Sequence, residues 1–229
     1  MKKETMKKIF ELRTFVDSLE FVGKTDVLKQ IDGIILCEMN DQKIGKFDLY
    51  SLADKDVHYC KSLTGVYHSN GYKYVSNRTI LCKTKADYPE EFEGRVVLSD
   101  GSLLPQDETR VPRFDSVIPV DLSNYIALDV DFNKVAEWSK EAKLHKKNYG
   151  KSSLRFVEVY NDANSSFELF DLFTKAMRGL GISQIMVHSD DRTKFFVAKN
   201  EDTIMILCPA LQSVTDGFDE YTKWFKLND

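Results

Sequence analysis

The chain has 229 residues, 42% of them apolar, enough to build one large or two small folded domains with real cores. Its 36 acidic and 32 basic side chains leave a formal charge of -4, which excludes a protein whose whole surface binds nucleic acid and leaves room only for a local basic patch. Met1–Lys8 carry positive charge with no uninterrupted apolar run behind them, so no signal peptide or membrane span is predicted and the cytoplasm is the expected location.

Along the chain, Ile9, Leu12, Phe15 or Val16, and Leu19 recur at helical spacing and predict an amphipathic helix over 6–22, with Gly23 just after it. Ile31–Met39 reads as a strand interrupted early by Gly33, and residues 40–62 show no clear pattern. Leu63–His68 and Tyr72–Ser76 flank Ser69-Asn70-Gly71, a tight-turn sequence, and predict a hairpin; residues 79–83 continue the sheet. An acidic loop is expected over 86–93, a short strand at Arg95–Leu98 and a turn at Asp100-Gly101. Arg110–Pro119, with prolines at 112 and 119, is an extended connector.

Beyond it come a strand at Tyr125–Val130, a helix over Asn133–Lys147 and a strand at Leu154–Tyr160. Ser165 and Glu168 have the spacing of a capping box opening a helix whose apolar stripe is Phe167, Phe170, Phe173 or Thr174, and Met177. Gly179 and Gly181 offer the left-handed backbone that ends it. A meander follows through Ile182–His188, Lys194–Lys199 and Thr203–Cys208, and Pro209, lacking an amide, stops the ladder. In residues 212–229, Phe218, Tyr221, Trp224 and Phe225 form an aromatic stripe at helical spacing, suited to packing on its own domain, covering a pocket or docking on a neighbouring subunit.

Catalytic chemistry finds no foothold. Cys37, Cys60, Cys82 and Cys208 lie far apart in strand-like surroundings and read as buried thiols, not a disulfide framework or zinc site. His58, His68, His145 and His188 are isolated, and the paired carboxylates Asp190-Asp191 and Asp219-Glu220 fall in a turn and the tail. No phosphate-cradling loop or nucleophile elbow occurs. Neither a catalytic site, a metal nor a cofactor is expected.

Four phrases follow one another along the chain: the hairpin running to Tyr74-Val-Ser-Asn-Arg-Thr-Ile-Leu81, the connector Val111-Pro-Arg-Phe-Asp-Ser-Val-Ile-Pro119, the strand and helix over Ile126–Leu144, and the closing Ile206-Leu-Cys-Pro-Ala210. In that order they resemble the DNA sliding clamp family, the beta-type processivity clamp of bacterial replicative polymerases. Together they cover roughly residues 60–211, the connector being the most specific. The family's Thr-Asp-Gly-His is Ser76-Asn-Arg-Thr79 here, and the connections after Lys83 and Tyr160 are short for a full complement of clamp strands.

The resemblance implies a shortened, DNA-clamp-like α+β fold with antiparallel sheets, helices on one face and two similar units, at residues 1–119 and 120–211. It also implies a noncatalytic tether for double-stranded DNA that self-associates into a homo-oligomeric ring and binds peptides of polymerases or other partners; the alternative is a clamp-derived adaptor that does not encircle DNA. Phosphate contacts would fall to Lys134, Lys140, Lys143, Lys146 and Lys147 with Lys175 and Arg178, joined by Lys7, Lys8 and Arg13 if the helices share a face. Equally, such lysines can simply solvate their helix. The peptide pocket would be Arg78, Leu81, Pro112, Ser116, Val117, Ile206, Leu207, Cys208, Pro209 and Ala210, residues that also suit a core and connector.

Overall fold

The computed structural model describes residues 3–39, 43–44, 47–56, 58–88, 90–99, 101–150, 154–210 and 222–227. The chain divides into two compact units, one of residues 1–44, 48–78 and 83–112, the other of residues 45–47, 79–82 and 113–229.

In the first unit, α1 (Lys3–Ser18) and α2 (Lys24–Met39) form a helical pair. The strand expected at Ile31–Met39 is therefore helix. Its β-branched run hides a second period, in which Leu28, Ile31 and Ile35 fall three to four apart and pack with Val16, Tyr88, Phe92 and Val97. The first helix ends at Ser18 instead of Val22, and Gly23 (φ 89°) turns the chain into α2. Arg13 of α1 binds Asp32 of α2 at 2.5 Å.

After the two-residue strands β1 (Lys43–Ile44) and β2 (Phe47–Asp48), Asp48 accepts from the Tyr50 amide and caps a 3-10 turn that buries Leu49 and Leu52. The predicted hairpin is present as β3 (Gly65–Ser69) and β4 (Tyr72–Ser76), with positive φ at Asn70 and Gly71. With β5 (Ile80–Lys85) and β6 (Arg95–Leu98) the strand order is β6-β3-β4-β5. Gly65 is required where β3 meets β6: a Cβ there would lie 2.3 Å from the Val97 carbonyl oxygen. The described residues of the acidic segment 86–93 form the expected loop, with a 3-10 turn at Glu90–Phe92, and it packs inward: Tyr88 and Phe92 are buried and Phe92 meets Phe10 edge-on at 6.2 Å. Of the expected turn, Asp100 lies outside the described residues and Gly101 has φ 84°.

The second unit runs β7 (Tyr125–Asp129), α3 (Phe132–Tyr149), β8 (Arg155–Tyr160), β9 (Ala163–Ser166), α4 (Phe167–Gly179), β10 (Gln184–His188), β11 (Phe196–Lys199), β12 (Thr203–Leu207) and β13 (Lys223–Lys226). One antiparallel row has the order β12-β11-β10-β7, with Val197 opposite Ile206 and Ile185 opposite Leu128. A second sheet has the order β13-β8-β9, in which β13 runs parallel to β8. α4 lies on β8, β9 and β12 and buries Phe167, Phe170, Phe173 and Met177.

Three expectations change here. Ser165 belongs to β9 and the N-cap is Ser166, so Glu168 falls at the second helical position, cannot reach back as a capping box requires, and binds Arg155 instead. Gly179 is helical; Gly181 (φ 73°) carries the left-handed residue, and the Ile182 and Gly181 amides close onto the Met177 and Arg178 carbonyls. Trp224 and Phe225 stand in strand β13, not on a helix, while Phe218 and Tyr221 lie outside the described residues. Among the described residues no helix is long and apolar enough to cross a membrane.

Candidate functional site

Asp131 fixes the start of α3 by accepting from the Asn133 and Lys134 amides at 2.8 and 3.2 Å. Val135, Trp138 and Ala142 form its buried stripe. At about 100° per residue, Lys140, Lys143 and Lys147 fall within an arc of about 60° on the opposite side, and all three are exposed. Lys146 is exposed about 120° away from Lys140 around the axis, while Lys134 folds back over the Trp138 ring, 5.4 Å from its centroid. Among the described residues Lys140, Lys143, Lys146 and Lys147 make no ion pair. Of the acidic neighbours on the helix, Glu141 is drawn to Lys223 of β13 at 3.2 Å. The result is a basic line on an acidic chain.

The other predicted cations differ. Lys175 is held by Asp171 at 2.5 Å, and Asp171 also accepts from Ser139 of α3 at 2.6 Å, which ties the two helices together. Arg178 is exposed in the last turn of α4. In the first unit Lys7 and Lys8 are exposed, and Arg13 is engaged by Asp32.

Of the predicted pocket residues, Leu81, Ile206 and Leu207 are buried, whereas Cys208, Pro209 and Ala210 are half-buried and Ser116 and Val117 are exposed. The Cys208 amide donates to the Thr79 carbonyl at 2.8 Å and the Ala210 amide to the Asn164 carbonyl at 2.7 Å, so the last three residues of the run form a strap fixed at both ends. Burial pushes the Cys208 thiol above its ordinary value. Ser116 and Val117 belong to a 3-10 turn, Phe114–Val117, anchored by the buried Phe114. In the first unit, Arg78 adopts φ 75°, contacts Asp54 at 2.8 Å and lies over the Tyr59 ring at 4.6 Å; Pro112 is exposed.

Sequence reasoning missed a polar centre inside the first unit. His68 on β3 is fully buried and stands in register between Lys73 of β4 and Arg95 of β6. Its ring lies edge-on to Tyr88 (5.0 Å) and Phe92 (5.6 Å). Among the described residues neither ring nitrogen has a well-aligned hydrogen-bond partner, although the backbone of Arg95 and Val66 lies close enough to favour the charged form. Burial and then the Lys73 charge hold the imidazole neutral, lowering its pKa from 6.5 to about 3. Beside it Glu93 accepts from the Tyr88 hydroxyl (2.7 Å), the Ser69 hydroxyl (2.9 Å) and the Asn70 amide (3.0 Å). Burial works to raise the Glu93 pKa, but these bonds outweigh it and leave the carboxyl below its usual value. The only sequence cue was a histidine inside an alternating strand.

No protein-family model matches the chain, and no curated protein matches it. Solved structures do. The DNA polymerase III beta chain of Streptococcus pneumoniae aligns over 78% of this chain and 63% of its own, with 11% identity and a TM-score of 0.50. The DNA polymerase sliding clamp of Bacillus subtilis aligns over 79% and 63%, with 11% identity and a TM-score of 0.47. For the Helicobacter pylori beta clamp bound to a DNA ligase peptide the figures are 71% and 61%, 12% and 0.43. The chain thus spans less than two thirds of the length of these proteins. What it shares with the Streptococcus pneumoniae chain is architecture: antiparallel sheets with packed helices, an α+β fold of the DNA-clamp type.

Proposed function

We propose that the chain is a noncatalytic, cytoplasmic clamp-like protein that tethers partners to double-stranded DNA, as a polymerase processivity factor does, through a self-associated ring. In this reading residues 1–119 and 120–211 are the clamp-like domains and the tail is an addition. The observation that carries it is the exposed line Lys140, Lys143 and Lys147 on a helix of a clamp-type fold, in a chain of net charge -4. Lys146 and Arg178 would add to it; Lys134 and Lys175, engaged by Trp138 and Asp171, would contribute less. Such contacts are independent of sequence and weaken steeply with salt, which suits a protein that must slide. Light scattering after size exclusion, together with anisotropy titrations on duplex DNA at several salt concentrations, tests this. A monodisperse monomer with no salt-dependent DNA binding would overturn it.

A second reading, an adaptor that binds peptides without encircling DNA, is favoured by the half-buried strap Cys208–Ala210 and by Val117, 43% exposed. The proposed pocket would use these with Ser116, Leu81, Ile206 and Leu207, all of the second unit. A clamp-binding peptide from a bacterial polymerase, captured equally by the native chain and by Val117→Asp and Pro209→Ala variants, would count against this pocket.

A further inference from the structure

β13 behaves like a ligand of the second unit. Residues 211–221, eleven in number, precede Thr222, and β13 then pairs in parallel with β8, whereas β8 and β9 pair antiparallel. Its two aromatic side chains anchor on opposite faces. Trp224 stacks on Phe156 at 5.0 Å, and Phe225 enters between Trp138 of α3 (5.4 Å) and Phe167 of α4 (5.0 Å). Lys226 reaches Glu158 at 3.5 Å, and the Lys223 and Leu227 amides donate to the Leu154 and Glu158 carbonyls, each at 3.0 Å. Backbone bonds, alternating aromatic anchors and flanking charge pairs are how a sheet edge recognises an extended peptide.

We propose that the edge of β8 is a strand-accepting site and that its occupant is exchanged between copies of this chain, residues 223–226 of one copy docking on β8 of the next. Eleven residues span at most roughly 40 Å. Docking passed from copy to copy is a heterologous contact, the kind that closes into rings when the rotation allows. The proposal thereby rests on the self-associating reading above and supplies its link. Docking within one chain is favoured when protein is dilute, because the short connection keeps the tail at about millimolar effective concentration. The exchanged share therefore rises with concentration.

Lys226 and Glu158 are register partners, and neither is buried. Two full-length variants, Lys226→Cys and Glu158→Cys, one of them isotope-labelled, are mixed, incubated at increasing concentration and oxidised. The expected product is a mixed disulfide dimer identified by its mass, increasing with concentration and absent from either variant alone. Failure of the mixed dimer to form overturns exchange. Light scattering on the native chain separates the two claims: an oligomer without the mixed disulfide removes this link and leaves self-association standing, whereas a monomer at all concentrations removes both.

Discussion

Acidification from pH 7 to pH 5 should loosen the first unit through His68. In the unfolded chain the imidazole has its ordinary pKa of 6.5; in the fold it is held at about 3. A base whose folded pKa is lowered contributes no penalty above pH 6.5 and loses stability as pH falls below it, continuing until the folded value is reached. At pH 5 the unfolded chain has bound a proton that the fold refuses, and the gap from 6.5 is worth about 2 kcal/mol. With a urea dependence of about 2 kcal/mol per molar, the midpoint should fall by about 1 M. Denaturation followed by far-ultraviolet circular dichroism at pH 7, 6 and 5 measures it. Glu93, whose pKa is lowered from 4.5, loses its contribution only below that value, so it does not enter the window. His145, lowered by burial and by Arg155 and Lys223, titrates in the same direction and remains in the control, His68→Phe. If His68→Phe loses as much stability between pH 7 and 5 as the native chain, the reasoning about His68 is refuted.

Gly179→Ala should destabilise the second unit by about 1–3 kcal/mol, because the new Cβ would lie 2.6 Å from the Phe47 Cβ; thermal melts should show the loss shrinking when Phe47→Ala is added. Glu168→Gln removes the charge that satisfies the buried Arg155 guanidinium and should cost about 1–3 kcal/mol in chemical denaturation; an unchanged midpoint would mean Arg155 is satisfied without it. Replacing Lys140, Lys143 and Lys147 together by Gln should flatten the dependence of log affinity for duplex DNA on log salt by about 2.7, or 0.9 per phosphate contact. Unchanged affinity and slope would remove α3 from the DNA interface.

How much could be read from the residues depended on whether one period dominated a segment. α4 was legible because Phe167, Phe170, Phe173 and Met177 share one face and Gly181 follows. The β3–β4 hairpin was legible because Asn70-Gly71 admits few other conformations. α2 was not, since Ile34-Ile35-Leu36 favours a strand locally and only packing against Val16 and Phe92 selects the helix. Trp224 and Phe225 misled for the same reason: two adjacent aromatics fit a helix stripe poorly, yet a strand only if both faces are covered, here by Phe156 on one side and Trp138 with Phe167 on the other. Of the candidate sites, the lysine composition of α3 was visible at once. Its grouping depended on which side Trp138 buried; Lys175 is engaged by Asp171 one turn earlier on α4, whereas Arg13 is engaged by Asp32 on the neighbouring helix α2.

The position of β13 after both helices in the chain also sets an order in time. Trp138 and Phe167 are synthesised long before Phe225, which covers them and stands 58 residues after Phe167. At 5–20 residues per second that interval is roughly 3–12 s, far longer than helix formation requires. Throughout that interval Trp138 of α3 and Phe167 of α4 await the side chain that covers them. For those seconds the seam lacks its Phe225 cover and is open to other growing chains.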